Sequence, residues 1–385
     1  MIEREIGQLV KKYSEQYPVV VVHGPRQSGK TTLCKALFPD KPYYSLENPD
    51  LRQRATDDPR GFLNTIKDGA ILDEIQNCPQ LLSYLQQIVD ENSQNGQFIL
   101  TGSNNLMLMA SISQSLAGRC AIFKLLPFSY SETRNLEGLQ SINKRILMGS
   151  YPRLVTQNME ISFFYDNYIQ TYVERDVRLL LSIKDSILFR KFIRLCAGRI
   201  GNILDISSLA NDCGINVKTA NDWLSILEAS FIIFRLQPYY DNRNKRLIKS
   251  PKLYFYDLGI ACNLLGITDE NQLTRDPLYG SLFENFIITE NIKKAFNSLS
   301  NASFYYYRTS NGVEIDLIKE QERTITPVEI KSGQTFSEAF TKHIKTFCET
   351  YNDIAVNPTV VYQGSENFTY KDITISSWEN YLSSH

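Results

Sequence analysis

The sequence is poor in the residues that most often bind transition metals or form cross-links. It contains three histidines in 385 residues, and its seven cysteines are scattered singly, with no CxxC pair. An odd number of isolated cysteines argues against a disulfide framework and against a zinc knuckle. So few histidines argue against histidine-based metal catalysis. The cysteine pattern is typical of a reducing compartment, so we expect a cytoplasmic protein.

Long hydrophobic runs are also lacking. The longest, residues 19–22 and 231–234, have the length of strands, whereas a bilayer-spanning helix needs ~20 apolar residues. The first sixteen residues carry charges throughout and lack an apolar centre. We therefore expect no signal peptide and no membrane partner.

Neither sign of charge is in excess. Lysine and arginine number 41 against 42 aspartates and glutamates, a net charge of −1. This excludes a nucleic-acid-binding protein that is basic over its whole surface, but it does not exclude one with a local basic face. A composition of 43% hydrophobic and 22% charged residues is that of a globular protein. The length predicts two or three domains.

The pattern of apolar residues divides the chain into three parts. Residues 1–135 alternate helical and strand-like segments, which predicts an α/β domain with a parallel sheet covered on both faces. Residues 136–265 are mainly helical and end in a basic, hairpin-like stretch. Residues 266–385 predict a helix at 282–296 followed by strands at 304–308, 313–318 and 327–330.

A phosphate-binding loop follows the first apolar run. Its residues fit the pattern GxxxxGK[ST] in full, with a strand before it and a helix after it: Gly24, Pro25, Arg26, Gln27, Ser28, Gly29, Lys30 and Thr31. Glycines let the backbone N–H groups wrap a phosphate, and the helix N-terminus adds partial positive charge. We predict that Lys30 reaches the outer phosphates, that Thr31 binds Mg²⁺, and that Thr32 also contacts the nucleotide.

Two carboxylates end the next buried strand, residues 70–74. Asp73 is predicted to orient Mg²⁺ and Glu74 to polarise the attacking water. A solvated turn is the alternative for such a pair alone. Because a full phosphate loop precedes it, we favour catalysis, and a carboxylate at position 74 favours hydrolysis over binding only.

A third strand and a later arginine add candidates to this site. Residues 98–104 form an apolar strand ending in polar residues, so that Ser103 or Asn104 is expected to sense the γ-phosphate. Arg119 follows a small-residue segment and is a candidate finger that completes a neighbouring subunit's site. Ordinary surface positions are the alternatives for these residues.

These motifs together resemble a known family. The runs are GPRQSGKTTL, LDEIQ, LTGSNN and SLAGR, followed by GSYPR at 149–153 and YVERDV at 172–177. They resemble a prokaryotic AAA+-type ATPase family whose P-loop domain is followed by a DUF4143 domain. The resemblance covers nearly the whole chain. It implies ATP and Mg²⁺ as cofactors and assembly into a homo-oligomer, such as a hexameric ring. Whether Arg119, Arg153 or Arg175 acts across the subunit boundary stays open.

Residues 206–234 read as a helix–turn–helix, with Ser207 and Ser208 as caps of the first helix. The second helix carries Asp222 and Glu228 against a single basic residue, which argues against reading of bases in the major groove. The stretch after it predicts a winged helix whose wing binds nucleic-acid phosphates. The alternative is a lid that only packs on the ATPase domain. The basic residues of the wing are Arg243, Lys245, Arg246, Lys249 and Lys252.

The last third has the spacing of a nuclease site. Asp316 lies in an alternating strand, and Glu329 and Lys331, two residues apart, share one face of the next strand. This resembles the PD-(D/E)xK superfamily, in which Asp and Glu hold Mg²⁺ and Lys assists the attack by water. Glu284, on the preceding helix, matches the extra acid of the resolvase-like branch. We expect a restriction-endonuclease-like α/β fold. Whether cleavage is retained, or the strands carry an ordinary Glu–Lys pair, stays open.

The sequence thus predicts a Mg²⁺-dependent ATPase that acts on DNA, with branched or junction DNA favoured, and with metal-dependent cleavage as a second activity to be tested. The alternative is a nucleotide-controlled switch or scaffold that binds a protein partner through an inactive nuclease-like domain. A third hypothesis is a nucleotide binder without turnover.

Overall fold

The computed structural model describes residues 2–92, 94–103, 105–173, 186–240 and 248–384. In the first part, a five-stranded sheet is parallel throughout, in the order β2-β3-β4-β1-β5. The parallel α/β fold predicted for the N-terminal part is therefore confirmed. The strands are β1 (Val19–His23), β2 (Tyr43–Ser45), β3 (Ala70–Asp73), β4 (Phe98–Gly102) and β5 (Cys120–Lys124).

Helices cover both faces of this sheet, and its interior strand β1 is accordingly apolar on both sides. Val20 and Val22 belong to one core, while Val19 and Val21 belong to the opposite core. This explains why β1 is a continuous apolar run rather than an alternating one. The helices are α1 (Gly7–Ser14), α2 (Lys30–Leu37), α3 (Pro49–Asp57), α4 (Pro59–Asn64), α5 (Leu81–Asn92) and α6 (Asn105–Ser115).

The middle of the chain is helical and contains the predicted helix–turn–helix, followed by an antiparallel hairpin of β6 (Ile233–Leu236) and β7 (Lys252–Phe255). The predicted caps of the first helix are wrong. The N-cap is Asp205, whose side chain accepts a bond from the backbone N–H of Ser208, so the helix begins at Ile206 and both serines lie within its first turn. The helices are α7 (Tyr130–Thr133), α8 (Ile142–Met148), α9 (Pro152–Thr156), α10 (Ile161–Tyr168), α11 (Ser186–Ala197), α12 (Ile206–Cys213), α13 (Val217–Ala229), α14 (Leu258–Leu265) and α15 (Glu270–Arg275).

The last third is an α/β unit built on a mixed sheet, in the order β12-β13-β11-β10-β9-β8. The strands β8, β9 and β10 form an antiparallel meander, and β11 returns parallel to β10 after a helix. The helix and three strands predicted here are confirmed. The elements are α16 (Tyr279–Ser298), β8 (Ser303–Arg308), β9 (Glu314–Gln321), β10 (Thr324–Lys331), α17 (Lys342–Thr350), β11 (Thr359–Tyr362), β12 (Phe368–Tyr370), β13 (Ile373–Ser377) and α18 (Trp378–Ser384).

The middle and the last third share one hydrophobic core. It runs from Leu126 through the helix–turn–helix to Leu317, Val328 and Leu382. The β6–β7 hairpin is thereby packed against the C-terminal sheet rather than standing apart as a free wing. In the described ranges, no helix has both the length and the apolar character needed to cross a bilayer. The cytoplasmic location stays a prediction.

Candidate functional site

The phosphate loop lies between β1 and α2, at the carboxyl edge of the parallel sheet. Gly24 approaches the neighbouring chain so closely that a Cβ there would lie 2.1 Å from the carbonyl oxygen of Leu125. Gly29 has φ +93°, in the left-handed region, and serves as the N-cap of α2. The two glycines therefore permit the sharp turn that aims the N-terminus of α2 into the loop.

Two side chains of the loop are prepared for an anionic ligand. The ammonium of Lys30 is buried and donates to the carbonyl oxygens of Gly24, at 3.1 Å, and Pro25, at 2.7 Å. Burial lowers its pKa, against the opposing charges of Glu74 and Asp73. The hydroxyl of Ser28 is fully buried and has no hydrogen-bond partner among the described residues. A phosphate in the loop would supply acceptors for both groups.

The carboxylate of Asp73, at the end of β3, accepts hydrogen bonds from three hydroxyl groups. Thr31 Oγ1 lies 3.0 Å from both carboxylate oxygens, and the phenol of Tyr43 donates at 2.6 Å. Thr101 Oγ1, on β4, donates to the same carboxylate. Hydroxyl and carboxylate oxygens are ligands that Mg²⁺ prefers. Thr31 and Asp73 therefore fit a Mg²⁺ ion, while Tyr43 and Thr101 orient the carboxylate.

Glu74 is held as an ionised acceptor. It has φ +56°, a left-handed conformation that is uncommon outside glycine and clusters at functional sites. Its Oε2 accepts bonds from Ser103 Oγ, at 2.8 Å, and from the amide of Gln76. Burial acts to raise its pKa, but the charge of Lys30 and these hydrogen bonds outweigh burial, so its pKa lies below the ordinary value. The predicted Ser103 thus contacts Glu74; Asn104 lies outside the described residues.

A cavity of about 1390 Å³ opens beside the loop, between α1, α2 and α9. Drug-sized ligands occupy pockets of roughly 300–1,000 Å³, so a nucleotide fits within it. Its wall includes Arg153 of α9 and eight of the predicted residues: Arg26, Gln27, Gly29, Lys30, Thr31, Thr32, Asp73 and Glu74. The cavity therefore gathers the predicted nucleotide site within a single chain.

Arg119 lies elsewhere. Its carbonyl accepts a bond from Val19, at the opposite end of β1 from the loop, and its guanidinium pairs with Asp90 at 2.5 Å. It does not contact the site of its own chain, so only the role in a neighbouring subunit stays a prediction. Arg153 reaches the cavity of its own chain. Arg175 lies outside the described residues.

A second cluster forms where β9 and β10 meet. The backbone N–H of Ile330 donates to Asp316 Oδ2 at 2.8 Å, and Lys331 Nζ lies 2.6 Å from Glu329 Oε1 and 3.6 Å from Asp316 Oδ2. Glu329 is only 4% exposed, and its Oε2 has no partner in the described part of the chain. Burial and the charge of Asp316 raise its pKa well above the ordinary value. The three residues predicted for the strands are brought together.

Glu284 of α16 joins this neighbourhood from the other side. Its Oε1 accepts bonds from Lys252 Nζ, at 3.0 Å, and from the phenol of Tyr254. Burial raises its pKa, Lys252 opposes this, and the charge of Asp316 adds to it. The described residues contain no group of three or more acidic, histidine or cysteine side chains gathered tightly enough to hold a metal ion.

Comparison with protein families covers the chain in three segments. Residues 16–134 match the family described as AAA domain, and residues 279–381 match the domain of unknown function DUF4143. The chain joins an AAA domain to a DUF4143 domain. Between them, residues 139–271 match the domain of unknown function DUF8612. The AAA match confirms the predicted AAA-type P-loop ATPase, and the DUF4143 match confirms the predicted C-terminal DUF4143 domain.

Similar curated proteins are uncharacterized. Proteins of Mycobacterium tuberculosis and Mycobacterium bovis are each 28% identical over 378 residues, which cover 97% of this chain and 82% of theirs. A protein of Haemophilus influenzae is 23% identical over 244 residues, 59% of this chain and 58% of its own. The mycobacterial similarity therefore extends across the AAA and DUF4143 domains together.

Solved structures of ATPases are similar to parts of the chain. A Walker-type ATPase of Pyrococcus abyssi is 17% identical, with 69% of this chain and 96% of that chain covered and a TM-score of 0.49. AMPPCP-bound DnaA from Aquifex aeolicus is 12% identical, with 58% and 85% covered and a TM-score of 0.31.

For one residue of the predicted nucleic-acid surface, Lys252, the prediction is wrong. Lys252 is 2% exposed and lies in ion pairs with Glu284 and with Glu314, the latter at 2.6 Å. It is not available to DNA, because β7 turns this side chain inward against the DUF4143 domain. Lys249 is exposed as predicted. Arg243, Lys245 and Arg246 lie outside the described residues.

The AAA site also depends on a residue that sequence reasoning missed. Arg4 donates to the carbonyl oxygens of Ser28, at 2.8 Å, and Leu126, at 2.7 Å, and pairs with Glu132 at 2.8 Å. It therefore fastens the phosphate loop to the segment that follows β5. No local pattern marks this arginine, since its partners are 24 to 128 residues away in sequence. Tyr43, Gln76 and Thr101 were missed as well, although the last two lie in the motifs LDEIQ and LTGSNN.

Proposed function

We propose that the protein is a Mg²⁺-dependent ATPase that acts on DNA, and that its DUF4143 domain cuts DNA with a divalent metal ion. In the AAA domain, Lys30 and the loop N–H groups bind the phosphates, while Thr31 and Asp73 hold Mg²⁺. Glu74 accepts a proton from the attacking water. Its lowered pKa supports this role, because a general base must be ionised at the working pH.

The DNA part of the proposal is carried by one observation: the buried Oε2 of Glu329, beside Asp316 and Lys331, has no partner among the residues that the structure describes. A buried carboxylate oxygen without a partner is costly, and a metal ion would satisfy it. Asp316 and Glu329 would hold the ion, and Lys331 would assist the attacking water or the phosphate that it cuts. Glu284 nearby favours a resolvase-like substrate, hence branched DNA.

Cleavage of labelled DNA tests this proposal. Purified protein is incubated with a four-way junction or a duplex, with Mg²⁺ or Mn²⁺, with and without ATP. We expect junction cutting that Lys331→Ala abolishes and that Lys342→Ala, at an exposed lysine of α17, leaves intact. Junction binding without cutting would leave a DNA motor or clamp and contradict the nuclease. The absence of both cutting and binding would contradict any action on DNA.

ATP turnover provides a separate test of the DNA part. DNA is expected to stimulate phosphate release, and a rate indifferent to duplex, single-stranded and junction DNA would count against it. The same preparation shows whether a homo-oligomer forms, by light scattering with and without ATP. Until light scattering gives the mass of the particle, a hexameric ring stays a proposal.

The competing function is a nucleotide-controlled switch that binds a protein partner through an inactive nuclease-like domain. Two observations favour it: the described residues gather no three-acid metal group, and Lys252 is withdrawn from the basic surface. It predicts no DNA binding at physiological salt, together with ATP-dependent capture of one specific protein that Lys30→Ala abolishes.

A further inference from the structure

The third residue of the phosphate loop is an arginine that the loop pattern does not require. GxxxxGK[ST] fixes the glycines, the lysine and the hydroxyl residue, whereas Arg26 occupies one of the free positions between the glycines. Its side chain lines the nucleotide cavity and is 15% exposed. The phenol of Tyr168 donates to its carbonyl oxygen at 3.3 Å, and the next residue, Gln27, has φ +60°. The backbone of Arg26 is therefore held at a sharp turn of the loop, with the side chain at the cavity wall.

The charge of Arg26 acts on two groups of the ATPase site. Burial lowers the pKa of Lys30, and the charge of Arg26 adds to this effect, against the charges of Glu74 and Asp73. At Glu74, burial acts to raise the pKa, but the charges of Lys30 and Arg26, together with hydrogen bonds, outweigh burial. Lys30 is the residue expected at the outer phosphates, and Glu74 the one expected at the attacking water. Because charge interactions weaken with distance, a guanidinium that acts on both lies close to the space between them, where the γ-phosphate is expected.

The ion pair that Arg26 makes across the cavity is a weak one. Its Nη1 lies 3.4 Å from Oε1 of Glu47, whose side chain is 56% exposed. A pair with so exposed a partner contributes little, because water screens it. A phosphate carries more charge and accepts two parallel bonds from a guanidinium, so it competes well with Glu47. Arg4, which also lines the cavity, differs, since it donates to two buried carbonyl oxygens and to Glu132 and is thereby held as a structural group.

We propose that Arg26 is a catalytic residue of ATP hydrolysis: it contacts the γ-phosphate bound in its own chain and stabilises the charge that develops there in the transition state. In the reaction, water forms a bond to the γ-phosphorus, the bond to the β–γ bridging oxygen breaks, and Glu74 takes the proton of the water. Arg26 donates hydrogen bonds and gives up no proton, because a guanidinium stays charged. This role deepens the ATPase part of the proposed function and rests on it. A chain with such an arginine in its own loop needs none from a neighbouring subunit.

Turnover and ligand binding of the full-length protein, both with Mg²⁺, test the proposal. Arg26→Ala is expected to lower kcat by about 10³-fold, while the Kd of the non-hydrolysable analogue AMPPNP, measured by calorimetry, changes less than about tenfold. The variant should also lose the ability to trap ADP with aluminium fluoride, which imitates the transferred phosphate and which the wild type should retain. Arg60→Ala, at an exposed arginine of α4, is the matched control and should behave as wild type.

Two further variants separate this role from its alternatives. Glu47→Gln removes the ion pair, so it should lower kcat less than about threefold. A loss as large as that of Arg26→Ala would show that the ion pair, and not the phosphate, requires Arg26. Mixing Arg26→Ala chains with Lys30→Ala chains, which lack the lysine of the phosphate loop, should not restore turnover. Restored turnover would show that Arg26 acts on a neighbouring subunit, and it would overturn the role in its own chain.

Arg26→Lys keeps the test valid if Arg26→Ala does not fold, as judged by thermal melting. Its kcat should fall at least about tenfold, because lysine keeps the charge but lacks the planar fork of donors. A smaller loss of kcat in a folded variant, or an equal loss of AMPPNP affinity, would overturn the catalytic role while leaving the ATPase itself intact. If the wild type neither releases phosphate nor traps ADP with aluminium fluoride, the ATPase function fails together with this inference.

Discussion

A buried histidine next to the phosphate loop makes the protein acid-sensitive in a way that can be calculated. His23 is the last residue of β1 and is 5% exposed, and its Nδ1 has no partner in the described ranges. Its ring lies 5.8 Å from that of Phe231, in the middle region. Burial, with the charges of Lys124 and Lys30, lowers its pKa to about 3.

The sign and size of the effect follow from proton binding. A pKa lowered from 6.5 to about 3 means that the unfolded chain binds a proton on His23 below pH 6.5, whereas the folded chain binds it only when the pH approaches 3. Stability from His23 is therefore complete above pH 6.5 and is lost as the pH falls towards 3. Between pH 8 and pH 5, the loss amounts to about 2 kcal/mol, because only the roughly 1.5 pH units below the unfolded-state pKa of 6.5 contribute, each worth ~1.4 kcal/mol.

Urea denaturation followed by circular dichroism at the two pH values measures this loss. His23→Gln lacks the titrating group, so its free energy of unfolding should fall by about 2 kcal/mol less than that of the wild type between pH 8 and pH 5. His343→Gln, at a partly exposed histidine, is the matched control and should behave as wild type. Equal losses in His23→Gln and wild type would refute the assignment of a buried, neutral His23.

Three further outcomes are expected. Glu74→Gln should lower phosphate release by about 10²- to 10⁴-fold and leave nucleotide binding intact; unchanged release would indicate a binder without turnover. Arg4→Met removes the charged partner of Glu132, whose carboxylate keeps only the backbone N–H bonds of Glu5 and Ser129, and it also removes the bonds to Ser28 and Leu126. Thermal melting should report a loss of about 3 kcal/mol, of which adding Glu132→Gln recovers only the part due to the ion pair. Lys293→Met removes the bond of 2.9 Å to the carbonyl oxygen of Phe128, which lines the nucleotide cavity, so the KM for ATP should rise several-fold; an unaltered KM would show that this bond does not affect nucleotide binding.

The phosphate loop could be recognised from the sequence because each part of it is local. A phosphate loop needs a strand, glycines and a helix in succession, and all three are contiguous in residues 19–37. Some elements were missed although their signals were present. Helices α3 and α4 each begin with proline after a capping residue, Asn48 and Asp58, which is a known pattern of helix starts.

Other features were beyond local reasoning. The charge pattern assigned Lys252 to a basic surface because its neighbours in sequence are basic. Only the pairing of β6 with β7, and their packing on α16, turns it towards Glu284, 32 residues later. A long-range ion pair of this kind leaves no periodicity in a single sequence, since neither residue type nor spacing is restricted by the partner.

Helix α16 connects the nucleotide cavity with the acidic cluster of the C-terminal domain. Glu284 lies on it in the acidic cluster. Nine residues along, or about 14 Å at 1.5 Å per residue, Lys293 donates to the carbonyl oxygen of Phe128, which lines the nucleotide cavity. Glu290 accepts the backbone N–H of Tyr130 at 2.6 Å beside it. A helix with bonds at both ends transmits a shift rather than absorbing it, because its internal hydrogen bonds resist bending. Any nucleotide-driven movement of the segment at Phe128 must therefore either move the helix that carries Glu284 or break the Lys293 bonds.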